Sequence, residues 1–309
     1  MTVESAENVR HRSSPETEPR CGVIAVLETV VAFAAVHVAY RSLQRFTDYG
    51  AWEATHGLNF IPGMVMIAAS LGMICLRRKN LSGFGLSVKR WQVDLQIGLT
   101  WTLVAIVAGG LLLHLFDIRE RFSGRHPPGV GIGLATLFVK ILAVAVFALI
   151  YRHNLPEPPR PAFRVLNVII SVLLCATPIF AALWVGASVR QAVLSLVWMG
   201  FVAGLGEELF FRGYIQSRVN ETWARPWRFL GIPFGPGLLV SSLLFGFVHA
   251  LNSVDYFTGE YRFAWGYGLM TIGLFAGFVR ERVGSIWPGV VMHVLGNILG
   301  LAAAIAAGV

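Results

Sequence analysis

The chain has 309 residues, of which 55% are hydrophobic and only 14% are charged, and its mean hydropathy is +0.64. A soluble domain usually carries about 25% charged residues, so this chain has too few to cover a water-facing surface. Intrinsic disorder, a disulfide-stapled scaffold and a nucleic-acid-binding domain are excluded too, since the net charge of +8 is scattered between apolar runs. We therefore expect an integral membrane protein whose partner is the lipid bilayer and not nucleic acid.

Polar residues of mixed charge fill positions 1–20, which predicts a polar cytoplasmic tail ahead of a retained first span and not a cleaved signal peptide. A helix needs about 20 residues to cross the hydrocarbon core. Nine apolar runs approach this length and two of them are short, which predicts an all-α, polytopic transmembrane helical bundle of eight or nine spans. The runs cover residues 21–40, 58–76, 93–116, 131–150, 165–187, 191–216, 237–251, 265–280 and 285–307.

The distribution of basic residues predicts the orientation of this bundle. With a cytoplasmic N-terminus, 16 basic residues fall in inside segments and 7 in outside segments, and Lys140 and Arg212 lie within spans and complete the 25. Cytoplasmic loops carry the excess of Lys and Arg in membrane proteins, so the N-terminus is predicted to be inside. A proline-rich stretch at 156–161 separates the halves, and we divide the chain into the tail 1–20, N-terminal transmembrane helices at 21–190 and C-terminal transmembrane helices at 191–309.

Three charged residues lie within the sixth apolar run, where an ionisable group is costly and marks a functional candidate. Glu208 and Arg212 are spaced i,i+4, so they share one helix face and lie within pairing distance. Glu207 lies about 100° further around the helix. It therefore escapes that pair and can face an intramembrane polar cavity, where it would serve as a general base.

Two histidines and an asparagine lie in later apolar runs. His249 is in the seventh run, and His293 and Asn297 share a helix face in the ninth at i,i+4 spacing. A lone histidine in an apolar helix is usually a packed core residue, but two of them together with Glu207 indicate a site. Other ionisable groups are interpreted as structural: Glu28 and Lys140 are expected to pair with each other, and His37 is expected at the membrane interface.

A carboxylate, two imidazoles and a carboxamide are typical of a hydrolytic site. Glu207 would take a proton from water while His249 orients it, and His293 and Asn297 could donate hydrogen bonds to the oxyanion. The Glu207, His249 and His293 side chains could instead bind a divalent metal such as zinc, and the residues leave both options open. The sequence has no HExxH, no Gly-x-Ser-x-Gly and no paired aspartates within spans.

Three motifs in chain order resemble those of the CPBP (ABI) family, which comprises type II CAAX prenyl endopeptidases and bacteriocin-processing or self-immunity proteins. The motifs are Glu207-Glu208-x-x-x-Arg212, Phe245-x-x-x-His249 and His293-x-x-x-Asn297. The resemblance covers roughly residues 195–305. It implies water activation by Glu207 and His249, an oxyanion site at His293 and Asn297, and supporting roles for Glu208 and Arg212. It also implies a helical bundle around a conical cavity that opens toward the cytoplasm.

Three classes of function compete at this point. The leading hypothesis is an intramembrane endopeptidase of the glutamate type, or a metal-dependent one, that cleaves a membrane-anchored or lipidated, CAAX-like protein or peptide. The alternative is a non-proteolytic membrane scaffold or a bacteriocin-immunity-type protein, in which the polar residues only fix helix packing. A transporter is the third class, and the lack of an internal repeat counts against it.

Overall fold

The structure is a computed structural model that describes residues 19–77, 80–116, 130–252 and 261–308. The predicted tail lies outside this range, except for its last two residues, which begin the first helix. The described helices are α1 (Pro19–Phe46), α2 (Asp48–Thr55), α3 (Phe60–Leu76), α4 (Trp91–Phe116), α5 (Val130–Tyr151), α6 (Pro161–Val185), α7 (Val189–Trp223), α8 (Pro236–Asn252), α9 (Phe263–Val283) and α10 (Trp287–Ala306). A two-stranded antiparallel hairpin, β1 (Trp227–Phe229) with β2 (Ile232–Phe234), joins α7 to α8.

The helices coincide with the apolar runs of the sequence, because a chain in lipid must satisfy its backbone hydrogen bonds within each segment. Within the described ranges, five helices are long and apolar enough to cross a membrane: Gly22–Phe46, Gly133–Tyr151, Pro161–Val185, Val189–Trp223 and Trp287–Ala306. Two shorter apolar helices lie at Phe60–Leu76 and Pro236–Leu251. The all-α membrane architecture is confirmed, while the count of eight or nine spans stays a prediction.

Helix α7 departs from regular α-helical geometry twice. It begins as an α-helix, becomes a π-helix over Val197–Ala203, returns to α over Gly204–Glu207 and is π again over Glu208–Gln216. In π segments each N–H bonds to the carbonyl five residues earlier, and such segments occur frequently at functional sites. The second π segment begins directly after Glu207, so the geometry changes where the sequence places its charged residues.

Glycines allow the helices around α7 and α8 to approach closely. A Cβ on Gly206 of α7 would lie 2.6 Å from the carbonyl oxygen of Gly63 in α3. A Cβ on Gly246 of α8 would lie 2.7 Å from the carbonyl oxygen of Gly266 in α9, and α8 and α9 pack along much of their lengths. Small residues at helix contacts are typical of membrane bundles, where van der Waals packing has to replace hydrophobic association.

Arginines and backbone carbonyls join the loops at one end of the bundle, which we call the arginine-rich end. Arg90 donates to the carbonyl oxygen of Val283 at 2.6 Å, and Arg282 donates to that of Tyr151 at 2.6 Å. The Ile286 N–H donates to the Gly85 carbonyl at 3.1 Å, where Gly85 has the left-handed φ of 79° that glycine adopts without strain. These bonds fix the entry of α10 against the loop before α4.

A buried carboxylate at the same end holds three helices and the loop before the hairpin together. Glu281 of α9 accepts hydrogen bonds from Gln216 at 2.9 Å and Asn220 at 2.5 Å, and it also pairs with Arg225. Asn220 in turn accepts from the N–H of Gly237 at 2.9 Å, at the start of α8. The C-terminal half of α7 is therefore fixed relative to α8 and α9.

The expected pairing of Glu28 with Lys140 is wrong. Glu28 of α1 instead accepts hydrogen bonds from Arg77, Arg218 and the hydroxyl of Tyr214. Lys140 lies on α5, which packs against α9. A partly buried carboxylate is stabilised by such donors, and the positions of those donors depend on how distant helices pack.

Candidate active site

The site begins with Glu207, which lies between the two π segments of α7. Its Oε2 atom is 3.6 Å from Nε2 of His249 on α8 and 3.6 Å from Nε2 of His293 on α10. All three side chains are largely shielded, with exposed fractions of 13%, 13% and 16% for Glu207, His249 and His293. The structure therefore brings together three of the residues that the sequence singled out.

Glu208 has a different environment from its neighbour. Its side chain is 2% exposed, and its Oε1 atom contacts both Nη1 of Arg212 and Nδ1 of His293 at 3.1 Å. The predicted i,i+4 pair of Glu208 and Arg212 is present, although it lies within a π segment. The contact between Glu208 and His293 was not predicted from the sequence, and it gives Glu208 a second partner on α10.

The backbone of α10 makes room for this carboxylate. A Cβ on Gly289 would lie 2.6 Å from Glu208 Oε2, so a larger residue here would displace the glutamate. Arg212 is 1% exposed and its guanidinium lies over the ring of Phe245 at 4.2 Å from the centroid. A cation held over an aromatic face in a desolvated place is stabilised by the ring. Phe245 thus supports the Glu208–Arg212 pair from α8.

Each of the two candidate catalytic histidines is oriented through its Nδ1 atom. His249 Nδ1 lies 2.8 Å from the carbonyl oxygen of Phe245, one turn earlier, and His293 Nδ1 bonds to Glu208. The partner of one ring nitrogen sets the protonation of the other. An N–H at Nδ1 of His249 leaves Nε2 as an acceptor that faces Glu207. His293 in its doubly protonated form can donate from both nitrogens at once.

Asn297 lies one turn beyond His293 on α10. Its Nδ2 donates to the carbonyl oxygen of Met199 at 3.0 Å, in the first π segment of α7. A side-chain amide has two N–H donors, so one of them is used in this contact. The structure places Asn297 against the helix of Glu207, and its function at the oxyanion stays a prediction.

The Oε2 atom of Glu207 is buried and has no hydrogen-bond partner among the described residues. Leaving a buried acceptor unsatisfied costs about 1–3 kcal/mol, and such groups are found where a substrate or water binds. A molecule hydrogen-bonded to Glu207 Oε2 could also reach either histidine, because 3.6 Å separates the polar atoms on each side. This arrangement suits proton transfer to or from a small polar reactant.

The same three side chains are the candidate ligands for a metal ion. The donor types of Glu207, His249 and His293 are those that zinc prefers. Among the described residues, however, no group of three or more His, Cys, Asp or Glu side chains is arranged to hold a metal ion. The metal-dependent alternative therefore stays a prediction.

A cavity of about 250 Å³ lies between α4, α6, α7 and α10. It is lined mainly by apolar side chains, including Leu95, Leu205 and Val294, and Cys175 also contacts it. The four candidate catalytic residues are not part of its lining. This apolar cavity is therefore distinct from the intramembrane polar cavity that the sequence predicts.

Sequence reasoning missed a polar group on α1. His37 was expected at the membrane interface, but it is 9% exposed and its Nδ1 bonds to the hydroxyl of Tyr40. Tyr40 is fully buried, and Arg41 donates to the carbonyl oxygen of Leu251 at 3.4 Å. The sequence does place His37, Tyr40 and Arg41 on one face of the first apolar helix, at i, i+3 and i+4. That spacing could have indicated a polar group there.

Comparison with known proteins gives one match. Residues 189–299 match the family model described as Type II CAAX prenyl endopeptidase Rce1-like. No curated protein and no solved structure matches the chain. The matched segment contains α7, α8, α9 and the larger part of α10, and with them every residue of the three sequence motifs. Residues 189–299 of this chain are therefore similar to the type II CAAX prenyl endopeptidase family.

Proposed function

We propose that the protein is an intramembrane endopeptidase that hydrolyses a peptide bond of a membrane-anchored or lipidated, CAAX-like protein or peptide. One observation carries this proposal: Oε2 of Glu207 lies 3.6 Å from both His249 and His293, within a bundle of apolar helices, and no described residue hydrogen-bonds to it. The match of residues 189–299 to an endopeptidase family supports the same reaction class.

The proposed reaction uses a water molecule bound beside Glu207 and His249. Glu207 takes a proton from this water, and His249, held at Nδ1 by the Phe245 carbonyl, orients it through Nε2. The oxygen attacks the carbonyl carbon of the peptide bond, and the oxyanion accepts hydrogen bonds from His293 and from the second N–H of Asn297. The C–N bond breaks as Glu207 passes its proton to the leaving nitrogen, which yields a carboxylate and an amine.

The surroundings of the site favour a substrate that reaches it from the bilayer. Glu207 lies near the middle of Val189–Trp223, a helix long and apolar enough to cross a membrane. A soluble peptide would have to lose its hydration to enter there, whereas a lipid anchor already holds its peptide at the membrane. Membrane-anchored or lipidated peptides are therefore the proposed partners.

The proposal is tested with the purified protein in lipid nanodiscs and a fluorescence-quenched peptide that ends in a prenylated CAAX sequence, alongside its unprenylated form. Glu207→Gln and His249→Ala are expected to lower kcat by about 10²- to 10⁴-fold, the usual contribution of a general acid–base group. Glu221→Gln is the matched control, since it makes the same change on an exposed residue of α7. Cleavage retained in both Glu207→Gln and His249→Ala would contradict the mechanism.

Two further arms separate the remaining alternatives. Activity that survives chelation supports the mechanism above, whereas activity lost to a chelator and restored by Zn²⁺ alone would overturn it in favour of a metal-dependent one. Glu207→Gln also serves as a substrate trap, with bound peptides identified by mass spectrometry. If Glu207→Gln still complements a strain that lacks the gene, the scaffold or immunity function replaces proteolysis.

A further inference from the structure

Helix α1 lies outside the matched segment 189–299, yet it contacts two helices of that segment. At the arginine-rich end, Glu28 accepts from the Tyr214 hydroxyl at 2.8 Å and from Arg218 Nε at 3.0 Å. Tyr214 and Arg218 follow Glu207 on α7. Arg77, directly after α3, is a further cation that pairs with Glu28. The position of α7 along its axis is thereby tied to α1.

The other end of α1 contacts α8 close to His249. Nη2 of Arg41 donates to the carbonyl oxygen of Leu251 at 3.4 Å. Helix α8 ends at Asn252, so Leu251 belongs to the last turn, whose carbonyls have no partner within the helix. A cation near a helix C-terminus also interacts favourably with the helix dipole. His249 lies in this same last turn, so its position depends on how well the turn is held.

The middle of α1 contacts the same two helices. The ring of Phe33 lies 6.3 Å from that of Phe211 on α7 and 6.2 Å from that of Phe247 on α8. Tyr40 is fully buried and belongs to the same apolar cluster as Phe33 and Phe211. The Cα atoms of Glu28 and Arg41 are about 20 Å apart along the helix axis. Polar anchors at two depths therefore flank an aromatic contact.

We propose that α1 is a positioning element of the active site, in which Glu28 holds the helix of Glu207 and Arg41 holds the helix turn of His249. This inference rests on the proposed function. A shift of about 1 Å in a catalytic group can cost about 100-fold in rate. Fixing α7 and α8 to one common helix keeps Glu207 and His249 at the separation that water activation needs.

The inference is tested on the full chain in nanodiscs with Arg41→Gln and Arg41→Lys. Arg45→Gln is the matched control, because Arg45 lies one turn further along α1 and is exposed. Arg41→Gln is expected to lower kcat by up to about 100-fold, the cost of a misplacement of about 1 Å, with KM nearly unchanged. Arg41→Lys keeps the charge and is expected to restore part of the rate.

Hydrogen–deuterium exchange measured by mass spectrometry gives a readout that does not depend on cleavage. Amides of residues 248–252 are expected to exchange about 5- to 30-fold faster in Arg41→Gln than in the wild type, while those of 289–297 on α10 stay unchanged. Equal exchange at 248–252 in Arg41→Gln and Arg45→Gln would overturn the inference. If the wild type cleaves no peptide, the proposed function fails, and the exchange data still decide whether Arg41 holds α8.

Discussion

Glu207 and Glu208 are adjacent in sequence and both contact His293, but only Glu208 pairs with Arg212. Glu208 Oε1 lies 3.1 Å from both Arg212 and His293, while Oε2 of either glutamate has no hydrogen-bond partner among the described residues. The ion pair with Arg212 commits Glu208 to structure, whereas the Glu207 carboxylate faces the two histidines and is available to a reactant. Helical spacing separates the two, because neighbouring residues point about 100° apart.

Replacing Arg212 tests whether the Glu208–Arg212 ion pair stabilises the fold. Arg212→Met removes the cation and leaves Glu208 in a buried place with His293 as its remaining partner. Breaking a buried ion pair by removing one member costs about 3–5 kcal/mol, so we expect a clearly lower midpoint of thermal unfolding in detergent. Adding Glu208→Gln in the same chain should recover part of the loss, since the uncompensated charge is then gone.

Arg190→Met is the matched control for this prediction. Arg190 lies at the start of the same helix α7 and is exposed, and surface substitutions usually change stability by less than about 0.5 kcal/mol. An Arg212→Met protein that unfolds at the same temperature as Arg190→Met would show that Glu208 does not need the guanidinium.

At the scale of elements, the contact between α3 and α7 depends on the absence of side chains. A Cβ on Gly63 would lie 2.5 Å from the carbonyl oxygen of Val202, in the first π segment of α7, while a Cβ on Gly72 of the same helix would meet nothing within 4 Å. Backbone atoms cannot turn aside as a flexible side chain can. Gly63 is therefore required by the close contact with α7, whereas no contact requires a glycine at position 72.

Alanine substitutions of Gly63 and Gly72 test whether only Gly63 is required by packing. Gly63→Ala should destabilise the protein by about 1–3 kcal/mol through overpacking and lower kcat, because α7 carries Glu207. Gly72→Ala should be neutral or stabilising by up to about 1 kcal/mol, since alanine has the higher helix propensity. Thermal unfolding and peptide cleavage measure both effects, and equal stability of the two variants would refute the tight contact.

Some elements could be predicted from the sequence and others could not, for identifiable reasons. The long helices match the apolar runs, with ends that differ by up to seven residues, because lipid leaves the backbone no other arrangement. The short helix α2, the hairpin and the π segments were missed, since short elements and i→i+5 bonding leave no distinct periodic pattern. The motif residues were found by type and spacing, whereas the bond from Glu208 to His293 and the partners of Glu28 depend on packing between helices far apart in sequence.

At the scale of the whole molecule, the loops gather at two ends. Arg282 with Tyr151 and Ile286 with Gly85 lie at the arginine-rich end, while Gln191 donates to the carbonyl oxygen of His56 at 2.6 Å at the other. The 16 to 7 distribution of basic residues in the sequence predicts that the arginine-rich end faces the cytoplasm, and this orientation stays a prediction.

Single cysteines introduced into a chain without its native cysteines test the orientation. With a cytoplasmic N-terminus and nine spans, Glu157→Cys should be protected from an impermeant maleimide in intact cells, while Ala51→Cys, Ala187→Cys and Ala307→Cys should be labelled. Permeabilised cells supply the control, in which all four positions react. Labelling of Glu157→Cys in intact cells would reverse the orientation, and protection of Ala307→Cys alone would indicate eight spans.

The second π segment of α7 has a consequence for transferring this site to another protein. It lies between Glu207 and Arg218 and contains Tyr214. Tyr214 and Arg218 both bind Glu28 of α1. A helix bonded i→i+5 rotates by a smaller angle per residue than an α-helix does. The π segment therefore sets the direction in which Tyr214 and Arg218 point relative to Glu207. A designer who copied the same residues onto a regular α-helix would turn the anchors away from α1 while leaving Glu207 in place.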